Sequence, residues 1–396
     1  MQQWLDSLIA QGVFGASAPR ELIYVIAIAI ACAVVLFAVA VPFASVVTWI
    51  ERRVWARIQS RIGPNRVGPN GVLQWLADGI KHVCKEDVIP SEADARLFKF
   101  APYLVVLAFI LPWAVMPFSS DLILADLNVG ILYMTAVTAI TVVGVLMAGW
   151  ASNNKWSLIG GIRSAAQIVS YEIPAGLSIF PVVLITGTLS MQGIIRAQGW
   201  SPERWFIFAN PFCFVAAIIL FVSSLAENNR TPFDLPEAES ELVAGFATEY
   251  SSMRYLFFFM AEWGNMFIAA AIIVTLFLGG WQFPQVSRSV VVMNVLQFIT
   301  FNIKVLIIVF VSMWIRGTLP RVRIDQLMSL CWKYFVPIAF IDMIGTAVWV
   351  AIWPDGNAVA QWIMLAIGIA IGALFVWRVA YFARRAGMEL YFHPTI

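Results

Sequence analysis

The sequence predicts an all-α membrane protein with many transmembrane helices, and three observations support this fold class. The 396 residues are 61% hydrophobic and only 12% charged, whereas about a quarter of the residues in a soluble protein are charged. The mean hydropathy is +0.83. Apolar runs of roughly 20 residues, the length that crosses a bilayer, recur along the chain, and they should be helical because lipid offers the backbone no hydrogen-bond partners. Nine spans are predicted, at about 22–48, 100–118, 130–150, 165–187, 206–226, 254–279, 290–315, 334–353 and 358–380.

The basic residues predict the orientation of these spans. If successive spans alternate in direction, 20 of the 25 Lys and Arg residues fall on one side of the membrane and four on the other, with Lys304 inside a span. Since basic loops stay in the cytoplasm, the N-terminus is expected outside and the C-terminus inside. The first apolar run, 22–48, is longer than the core of a signal peptide and no small-residue cleavage site follows it, so we expect a retained span.

The spans leave no soluble segment large enough to hold its own core, so the chain is predicted to be one membrane domain over residues 1–396. Three ordered cytoplasmic loops are predicted, at 49–99, 227–253 and 316–333.

The first loop combines a stiff turn with an amphipathic helix. Two Gly-Pro-Asn triplets, at 63–65 and 68–70, restrict the backbone. The following stretch places Leu76 and Ile80 opposite Asp78, a pattern typical of a helix at the membrane interface or under a partner. Attraction to anionic lipid is an alternative explanation of the basic residues here. It does not explain the stiff turn, which suits a surface docked against another protein.

Few side chains in this chain suit metal or redox cofactors. The four cysteines are far apart and there are only two histidines, which excludes a Cys-ligated iron–sulfur cluster built by this chain alone and argues against a histidine metal site. The glycines of the first loop lack the Lys-Ser/Thr of a phosphate-binding loop. Any electron carriers, iron–sulfur or flavin, are therefore expected in other subunits, and no metal site and no nucleic-acid partner are predicted.

The second loop is the most informative stretch of the chain, because it places six carboxylates beside hydrocarbon. Like charges four residues apart destabilise a helix when ionised, so such a cluster tends to hold a proton and to titrate as a group. A solvated acidic face is the alternative, but Phe233 and Leu242 interleave with the acids. Arg230 is spaced to pair with Glu227 or Asp234, and Asp234 is also placed to cap a helix. The six acids are Glu227, Asp234, Glu237, Glu239, Glu241 and Glu249.

Four ionisable residues lie inside predicted spans: Glu172, Glu262, Lys304 and Asp342. A charge at mid-bilayer costs about 2.5–3.5 kcal/mol on insertion scales, so each should face a partner or a hydrated cavity. We interpret Glu172 and Glu262 as part of a proton path, with hydrogen bonding between helices as the alternative. Lys304 and Asp342 either form an ion pair or have a role in function. A cavity lined by Arg, Asp and aromatic residues at the membrane surface would suit a quinone.

Four long motifs, in order, resemble the H subunit of bacterial proton-translocating NADH:quinone oxidoreductase, respiratory complex I, whose mitochondrial counterpart is the first of the membrane ND subunits. They are ERRVWARIQSRIGPNRVGPNG, LAENNRTPFDLPEAESELVAGF, TEYSSMRYLFFFMAEWGNM and WIRGTLPRVRIDQLMSLCWK. The resemblance implies a subunit of the bacterial plasma membrane at the heel of the membrane arm. It implies that the chain forms a chamber for ubiquinone or menaquinone with 49-kDa-type and PSST-type hydrophilic subunits, beside small membrane subunits and lipid.

The resemblance also implies roles for individual residues. It assigns Glu51, Arg52, Arg61, Asp78, Glu227, Arg230, Phe233 and Asp234 to the quinone chamber and its mouth. It assigns Glu172, Glu227, Glu237, Glu239, Glu241, Glu249 and Glu262 to sensing quinone reduction and to a chain of carboxylates that leads towards antiporter-like subunits. It matches Arg316, Arg321, Arg323, Asp325 and Lys333 to the third-loop motif.

Other functions remain open at this point. The homologous membrane subunit of a group 4 hydrogenase or formate hydrogenlyase shares the fold and much of the acidic pattern. A free-standing proton or cation transporter and a purely structural anchor are further alternatives. Residues 1–21, the ninth span and the C-terminal tail lie outside the most compact version of the family.

Overall fold

A computed structural model describes residues 41–235, 239–286, 289–354 and 356–385, except for the side chains of 41–45, 239–240, 375–376, 379–380 and 381–385. The regular structure of the described residues is helical, and they contain no β-strand. The helices are α1 Val41–Ile58, α2 Gln74–Cys84, α3 Ala95–Ile110, α4 Gly130–Thr138, α5 Ile140–Ala151, α6 Lys155–Thr186, α7 Met191–Ala197, α8 Pro211–Glu227, α9 Glu239–Leu242, α10 Ser252–Phe277, α11 Val290–Thr318, α12 Ile324–Ser329, α13 Val336–Ile352 and α14 Ala358–Arg385. Short 3₁₀ turns and a π-helical turn at Leu330–Phe335 connect some of them.

Among the described residues, six helical segments are long and apolar enough to cross a membrane, and α8 and the first part of α14 are shorter apolar helices. The all-helical, multi-span prediction is therefore confirmed, whereas the count of nine spans stays a prediction. Most of the first predicted span, 22–48, lies outside the described residues. The six segments are Ala95–Ala114, Gly130–Ala151, Lys155–Thr186, Ser252–Phe277, Val290–Thr318 and Ile324–Ile352.

Several helix boundaries differ from the sequence prediction. Helix α6 begins at Lys155, ten residues before the predicted span, because the Asn154 side chain caps it by accepting from the Trp156 amide at 2.9 Å. The predicted third loop is helical at both ends, since α11 continues to Thr318 and a helix resumes at Ile324. Hydropathy marks where a helix enters the hydrocarbon, whereas the cap decides where the helix begins.

The core lies where α3, α5, α6, α8 and α10 pack together. Phe109 and Phe267 are fully buried there, and small residues let the helices approach closely. Gly264 shows this most clearly, because a Cβ built at that position would lie 1.8 Å from the Phe109 ring. Gly149 and Gly161 face each other across α5 and α6 in the same way.

The polar segments collect at the two ends of this bundle. At one end the three segments predicted as cytoplasmic meet, because Glu51 contacts both Arg316, at 2.6 Å, and Arg230, at 3.6 Å. At the other end, the Gln192 amide donates to the Ser119 carbonyl at 3.0 Å and the Gln198 amide to the Thr275 carbonyl at 2.9 Å. This arrangement agrees with the alternation of spans, while the compartment that each end faces stays a prediction.

Candidate functional site

Four charged side chains from separate parts of the chain form one buried cluster at the end where the three polar segments meet. Arg316 Nη1 lies 2.6 Å from Glu51 Oε1, Arg230 Nη1 lies 3.6 Å from the same oxygen, and Arg230 Nε lies 3.0 Å from Glu262 Oε1. The side chains of Glu51 and Arg230 are only 4% and 3% exposed. Two acids and two arginines make the cluster neutral, which is the condition under which charges persist in a buried site. We call these residues the charge cluster.

Two tryptophans pack against the arginines of the charge cluster. The Arg230 guanidinium lies 4.0 Å from the centre of the Trp263 ring, and that of Arg316 lies 4.4 Å from the centre of the Trp55 ring. Both distances fall within the range of cation–π attraction. Sequence reasoning missed both tryptophans, and the only signal available was that Trp263 directly follows Glu262.

The first loop is held against this site by the turn that its Gly-Pro-Asn triplets form. The Asn70 carbonyl accepts from Trp49 Nε1 at 3.2 Å and from Arg53 Nη2 at 2.9 Å. Gly71 has a φ of +73°, and a Cβ there would lie 2.2 Å from the Pro64 carbonyl oxygen. Only glycine fits that position, so the predicted fixed backbone path is present.

The acidic loop folds back onto the helices. The Gln167 amide donates to the carbonyls of Ala226 and Phe233 at 2.7 and 2.8 Å, and Phe233 is buried against Tyr171. At the far end of the loop, the buried Tyr250 hydroxyl donates to the Phe98 carbonyl at 3.1 Å, and burial raises the pKa of Tyr250. Gln167 had no signal in the sequence, because both of its partners are distant along the chain.

Two neighbouring cavities share lining residues and extend from Glu262 of the charge cluster to the inner carboxylates. A small cavity of about 40 Å³ is lined by Glu227 and Glu262, and a larger one of about 260 Å³ is lined by Glu172 and Glu227. Asn228 and Asn265 line both. The structure thus brings three of the predicted proton-path acids together along one line of cavities.

A third and larger cavity, of about 610 Å³, opens beside the charge cluster. It lies between α1, the amphipathic helix α2 and α10, and we call it the mouth cavity. Arg52 and Asp78 line it and form an ion pair of 2.6 Å. Aromatic rings cover much of the remaining wall, and two of them, Tyr255 and Phe259, also line the small cavity next to Glu262.

The other predicted site residues lie at the edge of the site. Glu241 pairs with Arg163 at 2.7 Å on the surface, and the Asn154 amide donates to Glu249 at 2.6 Å. Asp234 lies 3.9 Å from Arg321. Glu237 lies outside the described residues, as does the side chain of Glu239, and the predicted helix cap at Asp234 adjoins that gap. Four further predicted residues are exposed, and the structure does not bring them to the charge cluster. They are Arg61, Arg323, Asp325 and Lys333.

Lys304 and Asp342 are both described by the structure, and they do not form an ion pair with each other. Lys304 Nζ donates to the carbonyls of Leu278 and Gly280, at 2.7 and 3.0 Å, just beyond the C-terminus of α10. It also lies 4.6 Å from the centre of the Trp205 ring. A cation is favoured at the negative end of a helix, so these contacts account for the presence of a lysine inside a predicted span.

Fold and site together define a class: a polytopic helical membrane protein with a charge-balanced cluster beside a large aromatic cavity, and a line of partly buried carboxylates. Comparison with known proteins narrows this class. A family model described as NADH dehydrogenase matches residues 30–347. The H subunit of NADH-quinone oxidoreductase from Anaeromyxobacter dehalogenans is 51% identical over 364 residues, covering 86% of this chain and 88% of the relative.

Other bacterial relatives give the same result. The H subunit from Chlorobaculum tepidum is 48% identical over 309 residues, 76% of this chain and 86% of the relative, and that from Dehalococcoides mccartyi is 45% identical over 342 residues, 86% of this chain and 91% of the relative. The chain belongs to the family of NADH-quinone oxidoreductase H subunits, the complex I family. The resemblance predicted from the four motifs is confirmed.

Proposed function

We propose that this chain is a membrane-arm subunit of a proton-translocating NADH:quinone oxidoreductase. In this proposal it forms the quinone chamber with hydrophilic partner subunits and transmits quinone reduction to proton translocation through its buried carboxylates. The observation that carries the proposal is the position of the charge cluster. Its Arg230 stacks on Trp263, which lines the mouth cavity, and its Glu262 lines the small cavity that Glu227 also lines.

The mouth cavity suits a quinone in size and in chemistry. Its volume of about 610 Å³ lies within the range of ligand sites, which are mostly apolar with a few placed polar groups. Aromatic side chains on α10 offer flat surfaces to a planar headgroup, and the apolar wall of α2 suits an isoprenoid tail. The polar lining of the mouth cavity includes the Arg52–Asp78 pair, Lys81 and His82.

The coupling step that we propose is electrostatic. Quinone reduction in the chamber changes the charge near the charge cluster, where two acids share Arg230. Two unit charges 4 Å apart interact by about 4 kcal/mol at an effective dielectric constant of 20, and one pKa unit corresponds to about 1.4 kcal/mol. A charge change at the chamber is thus large enough to move a proton between neighbouring carboxylates. Glu227 follows next in the line of cavities, then Glu172.

The remaining parts of the proposal follow from the family resemblance. We propose 49-kDa-type and PSST-type hydrophilic subunits and small membrane subunits as partners, and the bacterial plasma membrane, with the polar loops in the cytoplasm, as the location. Quinone is the shared substrate, and the absence of an iron–sulfur, flavin or metal cofactor in this chain stays a prediction.

The experiment that tests this proposal replaces Glu227 by Gln in the assembled complex. The amide keeps the shape of the side chain but cannot release a proton, so proton pumping driven by NADH:quinone turnover should fall strongly. NADH oxidation by ferricyanide, which bypasses the quinone, should not change. The matched control is Glu203→Gln, a partly exposed acid at the opposite end of the bundle. A Glu227→Gln complex that pumps at the normal ratio of protons to electrons would refute the proposed role.

A further inference from the structure

The larger inner cavity, of about 260 Å³, contains negative charge without a basic partner in its wall. Glu172 and Glu227 both line it, and none of the described residues around it is a lysine, an arginine or a histidine. Two ionised carboxylates at membrane depth without a cation are costly, so the cavity must take up positive charge whenever both acids are ionised. Its volume leaves ample room for water, since one water molecule needs only about 10–15 Å³.

Three hydroxyl groups in the lining can only accept hydrogen bonds from the cavity. The Thr138 hydroxyl donates to two carbonyls of the preceding helical turn, at 3.1 and 3.0 Å, and the Thr135 hydroxyl does the same at 3.3 and 3.1 Å. The Ser224 hydroxyl donates to a carbonyl of its own helix, α8, at 2.8 Å. A hydroxyl has one hydrogen and two lone pairs, so once its hydrogen is bound to its own helix only lone pairs remain.

The two threonines form a continuous part of the cavity wall. They lie one turn apart on α4, and Ala139, the residue where α4 meets α5, lines the same cavity. Residues three apart in a helix share a face, so both hydroxyls belong to one face of α4. Glu172 of α6 and Glu227 at the end of α8 line the same cavity.

Hydrogen-bond donors collect at the opposite side, where the two inner cavities meet. The lining side chains that still have a hydrogen to donate are those of Thr141, Asn228 and Asn265, and all three residues line both cavities. The acceptors on α4 belong to the larger cavity alone. A hydronium ion donates three hydrogen bonds, so it is stabilised where acceptors collect. The hydrogen-bond polarity of the wall therefore favours an excess proton on the α4 side of the larger cavity.

We propose that Thr135, Thr138 and Ser224 are positioning residues that hold an excess proton on water in this cavity, between its release from Glu227 and its uptake by Glu172. This inference rests on the proposed function, because it takes the two acids as successive members of the proton path. Protonated Glu227 gives its proton to a water molecule, which becomes hydronium and leaves a carboxylate behind. The hydronium then gives a proton to the Glu172 carboxylate and returns to water, so the net charge of the cavity does not change.

The experiment compares Thr135→Val/Thr138→Val with Thr135→Ser/Thr138→Ser in the assembled complex. Valine has the shape of threonine but no acceptor, so proton transfer between the two acids should slow by about tenfold or more, the effect of one charge-assisted hydrogen bond. NADH:decylubiquinone turnover should then fall, and its solvent isotope effect in D₂O should rise, because a proton transfer limits it. Serine keeps the acceptor and should restore both values. NADH oxidation by ferricyanide should not change in either variant.

The matched control is Thr300→Val on α11. Thr300 is also half-buried, and its hydroxyl donates to the Leu296 carbonyl of its own helix at 2.8 Å, but it does not line this cavity. A threonine in a membrane helix often satisfies its hydroxyl in this way for structural reasons alone. A purely structural role therefore predicts the same small effect at all three threonines, whereas the proposal predicts wild-type turnover and a wild-type isotope effect for Thr300→Val.

The outcomes separate this inference from the proposed function. Wild-type turnover with a wild-type isotope effect in the valine variant would overturn the role of the threonines, and so would a serine variant that behaves like the valine variant. Neither result changes the Glu227→Gln pumping test. Conversely, if Glu227→Gln pumps normally while the threonine variants behave as expected, the route through Glu227 fails and the delivery of protons to Glu172 by this wall stands.

A second variant keeps the test decisive if the valine variant does not assemble. Ser224→Ala removes the acceptor that α8 contributes, and it should lower turnover and raise the isotope effect in the same direction. A Ser224→Ala complex with wild-type values of both would then overturn the inference.

Discussion

The replacement of Arg230 by Met perturbs the charge cluster in a way that the structure allows to be worked out. Methionine keeps an unbranched side chain of similar length but removes the cation that lies between Glu51 and Glu262. The cluster then changes from two acids and two arginines to a net charge of −1 in a buried site. Breaking a buried ion pair by removing one partner costs about 3–5 kcal/mol, because the charge left behind has no compensation. The lost contact with the Trp263 ring adds roughly 1–2 kcal/mol.

A matched control comes from a second arginine–glutamate pair that involves the acidic loop, Arg163 with Glu241. Arg163 lies 2.7 Å from Glu241, closer than Arg230 lies to Glu262, but those side chains are 30% and 59% exposed. An exposed pair contributes about 0–1 kcal/mol. The Arg163→Met variant should therefore be almost as stable as wild type, although its ion pair is shorter. Burial, and not distance, decides the difference.

The assay is the amount of assembled complex in the membrane and its thermal midpoint after solubilisation. Arg230→Met should lower the amount of assembled complex and its thermal midpoint, and should reduce quinone-linked activity. Arg163→Met should leave the amount and the thermal midpoint almost unchanged. The double variant Arg230→Met/Glu262→Gln restores the neutral charge of the cluster and should recover part of the loss. If the double variant were no more stable than Arg230→Met alone, charge balance would not be what holds this site together.

Two glycines give further predictions. Gly71→Ala should destabilise the first loop by at least about 1–2 kcal/mol, because an L-residue at φ +73° is strained and its Cβ meets the Pro64 carbonyl; Gly372→Ala, in open space on α14, is the control and should be neutral or slightly stabilising. Gly264→Ala should cost about 1–3 kcal/mol or more, since its Cβ would overlap the Phe109 ring. The thermal midpoint of the assembled complex checks both, and a Gly264→Ala complex as stable as wild type would show that α3 and α10 can separate freely.

Several features of this protein could be predicted from local sequence alone. Composition and apolar runs predict a helical membrane protein, because hydrocarbon selects for apolar side chains and for paired backbone groups. The period of the apolar residues predicts the amphipathic helix α2, and the Gly-Pro-Asn triplets predict a fixed turn. These signals lie within short stretches of sequence, so no tertiary contact is needed to detect them.

The partners of the charged residues could not be predicted in that way. Spacing predicts that Arg230 pairs with Glu227 or Asp234, whereas in the structure it forms ion pairs with Glu262 and Glu51 on distant helices. Likewise, the carbonyls that hold Lys304 belong to the turn after α10, which no pattern near Lys304 indicates.

The amino-acid sequence thus determined that acids are present beside hydrocarbon, and tertiary structure decided which of them are buried together. Glu227 and Glu241 both belong to the acidic loop in the sequence, yet Glu241 is paired at the surface and Glu227 lines both inner cavities. The physical reason is that burial and pairing depend on how helices cross. Those crossings are set by contacts between residues far apart in the chain, such as Gly264 with Phe109.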